Sequence, residues 1–170
     1  CKQYMILFLQ YGINEKYKNM TIKRRIAMLL STWFGIGFLK PAPGTMGSLA
    51  ALPFAWVLVD FGGYQALIFA AILITAIGVW TSNIYCQELL EEDPPQVVID
   101  EVAGQLLTLL VVPPTLIHYL FGFILFRIAD IVKPWPVNWV DQNIKGGRGI
   151  MLDDSLAAIY AGAGLSFALS

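Results

Sequence analysis

Residues 61–87 run without a charged side chain, from Phe61 through Ala70-Ala71-Ile72-Leu73-Ile74 to Gln87. At about 1.5 Å per helical residue, some 20 residues cross a hydrocarbon core of about 30 Å, so this stretch can span a bilayer unaided. Four more stretches lack Asp, Glu, Lys and Arg: 26–39, 41–59, 102–126 (which holds His118) and 155–170. Of the 170 residues 57% are hydrophobic and 14% charged, where an ordinary soluble domain carries about 25% charged residues. A domain this small leaves about a third of its surface in water and cannot hide so much apolar side chain. The pattern does not fit a soluble enzyme or a disordered tail. The balance of 11 Lys plus Arg against 12 Asp plus Glu supplies no basic field for nucleic acid. The expected fold is all-α, a small polytopic helical membrane protein.

Beside 61–87, residues 46–60 and 155–170 are shorter candidate spans, and 26–39 makes about half a crossing. Lys23, Arg24 and Arg25 hold the start of 26–39 on the cytoplasmic side. Residues 102–126 are long enough for one crossing but carry Pro113-Pro114 at their middle. Paired prolines remove donors and disfavour a helical residue before them, so the spacing predicts a broken helix or a re-entrant hairpin there. Polar material gathers in 88–101 and 127–154, and no linker divides the chain.

We read residues 26–170 as a single membrane-embedded domain. Residues 1–25 form an N-terminal extension outside it, with Met20-Thr21-Ile22-Lys23-Arg24-Arg25 resembling a natural start. Cys1 and Cys86 make no disulfide framework, and His118, the single histidine, rules out a zinc-type His/Cys cluster. His118 sits in an apolar surrounding and reads as packed or interfacial. Trp33, Trp135 and Trp139, near span ends, read as interfacial anchors.

Charge beside an apolar span is costly, so its placement is informative. Gly44-Thr45-Met46-Gly47-Ser48 opens a span after a Pro turn. It reads either as a plain helix cap or as an anion site built from free backbone N–H groups. Asp100-Glu101 lies between apolar runs and reads as charge at a helix N-terminus or as oxygen ligands for a divalent ion. Arg127, Asp130 and Lys133 fall at i, i+3 and i+6 on one helix face, which Pro134 ends. A salt-bridge ladder and a phosphate clamp fit that spacing equally. Gly146-Gly147-Arg148-Gly149 can fold tightly around a bound group and leads into a second acidic pair, Asp153-Asp154. Glu91-Glu92-Asp93-Pro94-Pro95 reads as a solvated turn.

The chain lacks the Cys-x5-Arg of a cysteine phosphatase, since Glu92 stands where the arginine would follow Cys86. It also lacks a histidine in a basic motif, and the Asp-x-Asp of a haloacid-type enzyme. Carboxylates with Arg, Lys and Gly point instead to metal-assisted phosphoryl chemistry.

The stretches Pro43–Ser48, Asp100–Gly104, Phe126–Pro136 and Gly146–Asp154, in that order, resemble the bacterial phosphatidylglycerophosphatase A family. The resemblance covers about residues 33 to 162. It implies an Mg2+-dependent inner-membrane enzyme that converts phosphatidylglycerophosphate to phosphatidylglycerol and inorganic phosphate in glycerophospholipid biosynthesis. On that reading Asp100, Glu101, Asp153 and Asp154 bind Mg2+, with Asp130 as a further ligand or base. Arg127 and Lys133 hold the phosphoryl group, and the segments with Gly44, Thr45, Gly47, Ser48, Gly146, Gly147 and Arg148 complete the cradle. For these motifs to share one site, 102–126 must turn back at Pro113-Pro114, leaving 127–154 cytoplasmic. Two alternatives remain: a phosphatase acting on another phosphorylated lipid or a soluble ester, and a small transporter with acidic pairs along an ion path.

Overall fold

The computed structural model describes residues 21–169, so the expected extension falls, over residues 1–20, outside the described residues. Those described form six α-helices and two short 3-10 turns, with no strand among them. Helix α1, Ile22–Ser31, is followed by a 3-10 turn at Ile36–Phe38. Helix α2 is Pro43–Leu89, with Pro43 in its first turn, where a missing N–H costs nothing. It is interrupted at Gly63, whose φ of 63° and ψ of −168° suit only glycine.

That one residue folds α2 into two antiparallel arms. A Cβ on Gly47 would lie 2.9 Å from Val98 Cβ, and one on Gly78 would lie 3.4 Å from Ile99 Cγ2. A straight helix would hold residues 47 and 78 roughly 46 Å apart, yet they pack on adjacent residues. The separate spans expected at 46–60 and within 61–87 are therefore the two arms of this hairpin.

Helix α3, Ile99–Thr108, continues into a 3-10 turn at Leu109–Val111, and α4 begins after Pro113-Pro114 as Leu116–Val132. The break falls where the paired prolines require it. Thr115 caps α4 by accepting the His118 N–H, and its hydroxyl also meets the His118 ring, which gives that histidine a capping role. Lys133, at φ 47°, ends α4. A short helix α5, Val137–Asn143, and the long α6, Gly147–Ala168, complete the chain.

Small residues let the helices approach closely: Ala51, Ala55, Ala71, Ala103, Ala157 and Ala161 are each at most 2% exposed. Around them pack Leu67, Leu106, Leu109, Tyr119, Phe126 and Leu165. The outer faces are equally apolar, with Phe69, Ile72, Ile117, Ile131, Ile159 and Phe167 exposed. Helices α2 and α6 are long and apolar enough to cross a membrane. An interior and an exterior that are both largely hydrocarbon suit a membrane protein.

Candidate active site

One end of the bundle gathers the start of α2, the start of α3, the end of α4 and the first turns of α6. The arrangement follows from the two hairpins, since each leaves that end and returns to it. Glu101 and Arg127, the residues flanking 102–126, meet with Oε1 and Nη1 4.0 Å apart. Helix α6 is seated by Gly147, whose N–H donates to Asn83 Oδ1 (2.8 Å) on the second arm of α2. A cavity of about 370 Å³ lies between these ends. Its walls include Gly44, Thr45, Asp93, Asp100, Glu101, Arg127, Asp130, Lys133, Asp141, Lys145, Gly146, Asp153 and Asp154.

Three groupings divide the cavity. In the first, Asp100, Glu101 and Asp154 bring carboxylate oxygens within 4.8 Å of one another. Asp100 Oδ1, Glu101 Oε2 and Asp154 Oδ2 are buried with no hydrogen-bond partner. Helix α3 is half the length of a crossing, and its acidic pair stands at its first turn. Burial, then the charge of Glu101, raises the Asp100 carboxyl well above its usual range, and burial chiefly pushes Glu101 up to about 7. Converging carboxylates, each with an orphaned oxygen, form an all-oxygen donor set that fits a hard divalent cation. Such an ion would remove both the repulsion and the orphaned atoms.

In the second grouping Arg127 Nη1 bonds Asp130 Oδ2 at 2.7 Å and donates to Ser48 Oγ at 3.3 Å. The i, i+3 spacing thus does form a pair on one face of α4. In the third, Lys133 Nζ sits between Asp141 Oδ1 (2.6 Å) and Asp153 Oδ2 (2.9 Å). Those two hydrogen bonds outweigh the burial of the ammonium and raise its pKa, so Lys133 stays charged. Two cations held by carboxylates line the same cavity as the acidic cluster, and cations of this kind bind phosphate oxygens as readily as carboxylate oxygens.

The structure distributes the expected residues unevenly. Asp153 was expected beside Asp154 as a metal ligand, but the cluster is Asp100, Glu101 and Asp154, and Asp153 turns to Lys133. Neighbours on a helix point about 100° apart, so an adjacent pair divides its duties. Gly44, Thr45 and Gly146 line the cavity, whereas Gly47, Ser48, Gly147 and Arg148 do not. Gly47 packs on Val98, and Ser48 donates to the Gly44 carbonyl (3.0 Å) and accepts from Arg127. The Gly147 amide is taken by Asn83, and Arg148 is exposed.

Four residues enter the site without a signal in the sequence reading, one of them Lys145, which stands on the cavity wall and pairs with Glu92 (3.1 Å). Asp141 partners Lys133 from α5, across Pro134 and Pro136, where helical spacing no longer applies. Asp93, within the presumed solvated turn, is exposed but stands on the cavity wall. Asn83 acts only through Gly147.

A family model described as phosphatidylglycerophosphatase A matches residues 29–169. The chain is 39% identical over 140 residues to the phosphatidylglycerophosphatase A of Escherichia coli strain K12, covering 82% of this chain and 81% of that one. It is 35% identical over 134 residues to the protein of the same description from Haemophilus influenzae Rd, covering 78% and 82%. A Bacteroides thetaiotaomicron protein described as a candidate phosphatidylinositol-3-phosphatase is 40% identical over 144 residues, covering 80% and 89%. No solved structure matches the chain.

Proposed function

The chain belongs to the phosphatidylglycerophosphatase A family of phosphoric monoester hydrolases, and we propose that it removes the terminal phosphate of phosphatidylglycerophosphate. The products are phosphatidylglycerol and inorganic phosphate, in glycerophospholipid biosynthesis. One observation carries this reading: a buried three-carboxylate cluster and two carboxylate-held cations line the same cavity, in a chain whose outer faces are apolar.

Asp100, Glu101 and Asp154 are the residues that would hold Mg2+. Bound there, Mg2+ neutralises phosphate oxygens and lowers the pKa of a water molecule. Arg127 and Lys133 grip the remaining phosphate oxygens, and Asp130 and Asp153 keep those cations aimed into the cavity. Asp130, beside Arg127, is the carboxylate placed to take a proton from the attacking water. The ester P–O bond breaks as the new P–O bond forms, and the proton taken by Asp130 passes to the departing glycerol oxygen. Gly44 and Thr45 close one wall around the phosphate.

The domain, residues 26–170, sits in the bacterial inner membrane with this end facing the cytoplasm. Arg24 supports that orientation: it pairs with Glu88 (2.9 Å) at the end of α2 nearest the site, placing the Lys23-Arg24-Arg25 cluster on the same side.

The Bacteroides relative favours a second reading, in which the phosphate removed belongs to another phosphorylated lipid. Phosphate release from purified protein separates the two. The panel is phosphatidylglycerophosphate, phosphatidylinositol 3-phosphate, phosphatidic acid and glycerol 3-phosphate, each with Mg2+ and with EDTA. Preference for the first substrate, lost reversibly in EDTA, is the expected result. Preference for another lipid would replace the substrate, and full activity in EDTA would overturn the metal assignment.

A further inference from the structure

The face of α2 that lines the catalytic cavity also carries, farther along, an apolar groove. Thr45 lines the cavity. Leu49, Leu52 and Trp56 follow it at i+4, i+7 and i+11, which keeps them on the same helix face. These three, with Val57 on α2 and Tyr119 and Leu120 on α4, line a second cavity of about 600 Å³.

The seam between the two helices fixes where that groove lies. Arg127 meets Ser48 at one end of it, and the rings of Trp56 and Tyr119 make an edge contact at 5.5 Å at the other. Eight residues on each helix separate the two contacts, so the helices run antiparallel in constant register for about 12 Å. The groove starts one residue beyond Ser48 and leads away from the charged site. A groove lined by carbon on a hydrocarbon-facing surface will be covered by hydrocarbon. Its alignment with the phosphate site along one face of α2 decides whose: a chain leaving a phosphate held at Arg127 passes Thr45 and meets Leu49 one turn later.

We propose that this groove binds an acyl chain of the phosphorylated lipid substrate, making the α2–α4 seam a determinant of chain-length selectivity. The proposal rests on the lipid-phosphatase reading above. It assigns a binding function to residues distant from the chemistry.

Val57 and Leu120 are 52% and 42% exposed, so a larger side chain there fills the groove without entering the core. Val57→Trp and Leu120→Trp are assayed in mixed micelles on dioleoyl and dibutyryl forms of the same phospholipid. Ile72→Trp, on an exposed face of α2 outside the groove, is the control. Each groove variant should lower kcat/KM for the dioleoyl substrate about tenfold, as expected from displacing roughly two methylene groups from an apolar surface. The dibutyryl substrate, too short to fill the groove, should change by less than about twofold, and Ile72→Trp should change neither. Equal losses on both substrates, no loss on either, or the same loss in Ile72→Trp would overturn the proposal. If the wild type prefers another phosphorylated lipid, the substrate assignment fails, and the same chain-length comparison on that lipid still judges the groove. A wild type inactive on every lipid would overturn both.

Discussion

Gly44 offers the sharpest test of whether the acidic cluster is positioned for chemistry. It lies in the first turn of α2, where a Cβ would overlap Glu101 Oε1, stand 3.0 Å from Glu101 Cδ and stand 3.4 Å from Arg127 Nη1. The obstructing group is the end of a flexible side chain, so Gly44→Ala leaves the backbone alone and moves the carboxylate. An ordinary contact between a carbon and a neighbouring heavy atom is about 3.5 Å, so the Glu101 carboxylate must withdraw by about 1 Å or more. A displacement of that size at a catalytic constellation costs on the order of 100-fold in rate. The fold should not suffer, since Gly44→Ala, in the first turn, gains part of the roughly 0.5–1 kcal/mol by which alanine is favoured over glycine in the middle of a helix. Gly44→Ala should therefore lose about two orders of magnitude in phosphate release while its thermal midpoint holds or rises. Gly164→Ala provides the contrast, because its Cβ would meet Leu125 Cδ1 at an unstrained 3.6 Å. It should retain activity. If Gly44→Ala keeps more than about a third of wild-type turnover, the Glu101 position does not matter to catalysis and the argument fails.

Asp100→Asn and Asp154→Asn should each abolish turnover, and each should remove the rise in thermal midpoint that Mg2+ gives the wild type. A variant still stabilised by Mg2+ would place the ion elsewhere. Lys133→Met should reduce phosphate release by about 100-fold, because Lys133 joins Asp141 and Asp153 at the cavity. Lys145→Met, whose pair with Glu92 is largely exposed, should stay within about twofold, and equal effects would count against the clamp. Single cysteines at Glu91 and Asn143, both exposed, should resist an impermeant thiol reagent in intact cells and react after lysis once Cys1 and Cys86 are both replaced. Labelling of Asn143→Cys in intact cells would break the cytoplasmic orientation.

The parts of this molecule legible in the sequence are those governed by hydropathy and by proline. Charge-free runs located the arms of α2 and the apolar part of α6, whose first turns, from Gly147, instead carry Arg148, Asp153 and Asp154, and Pro113-Pro114 located the turn between α3 and α4. The acidic and basic residues of the site were also legible, because charge beside an apolar span demands a reason. Their pairing was not. Asp153 and Asp154 are equivalent as letters, but one helical step sends the first to Lys133 and the second to the α3 cluster. Asp141 reaches Lys133 only after the chain has turned through Pro134–Pro136, beyond any periodic rule. The glycines of 146–149 suggested an anion cradle, yet Gly147 and Gly149 are used for close approach to Asn83 and to the Ile144 carbonyl. A small residue announces that something comes near, without saying whether it is a ligand or another helix.

The α3–α4 hairpin is what makes a one-sided site possible, and its turn solves a particular problem. Ten α-helical and three 3-10 residues carry the chain about 21 Å from Ile99, and the 17 residues of α4 return it about 25 Å, both short of a full crossing. The turn therefore lies among apolar segments, where unpaired backbone groups cost several kcal/mol each. Pro113 and Pro114 have no N–H to satisfy. The Thr115 N–H donates to the Pro113 carbonyl at 2.8 Å. The Val112 carbonyl accepts the Tyr64 hydroxyl at 2.7 Å, from the residue next to the Gly63 bend of α2. The Thr115 side chain accepts the His118 N–H. The prolines thus do more than interrupt a helix. They remove the donors that such a turn would otherwise leave stranded, and the two hairpin bends, tied by Tyr64, return Arg127 and Glu88 to the end where the carboxylates wait.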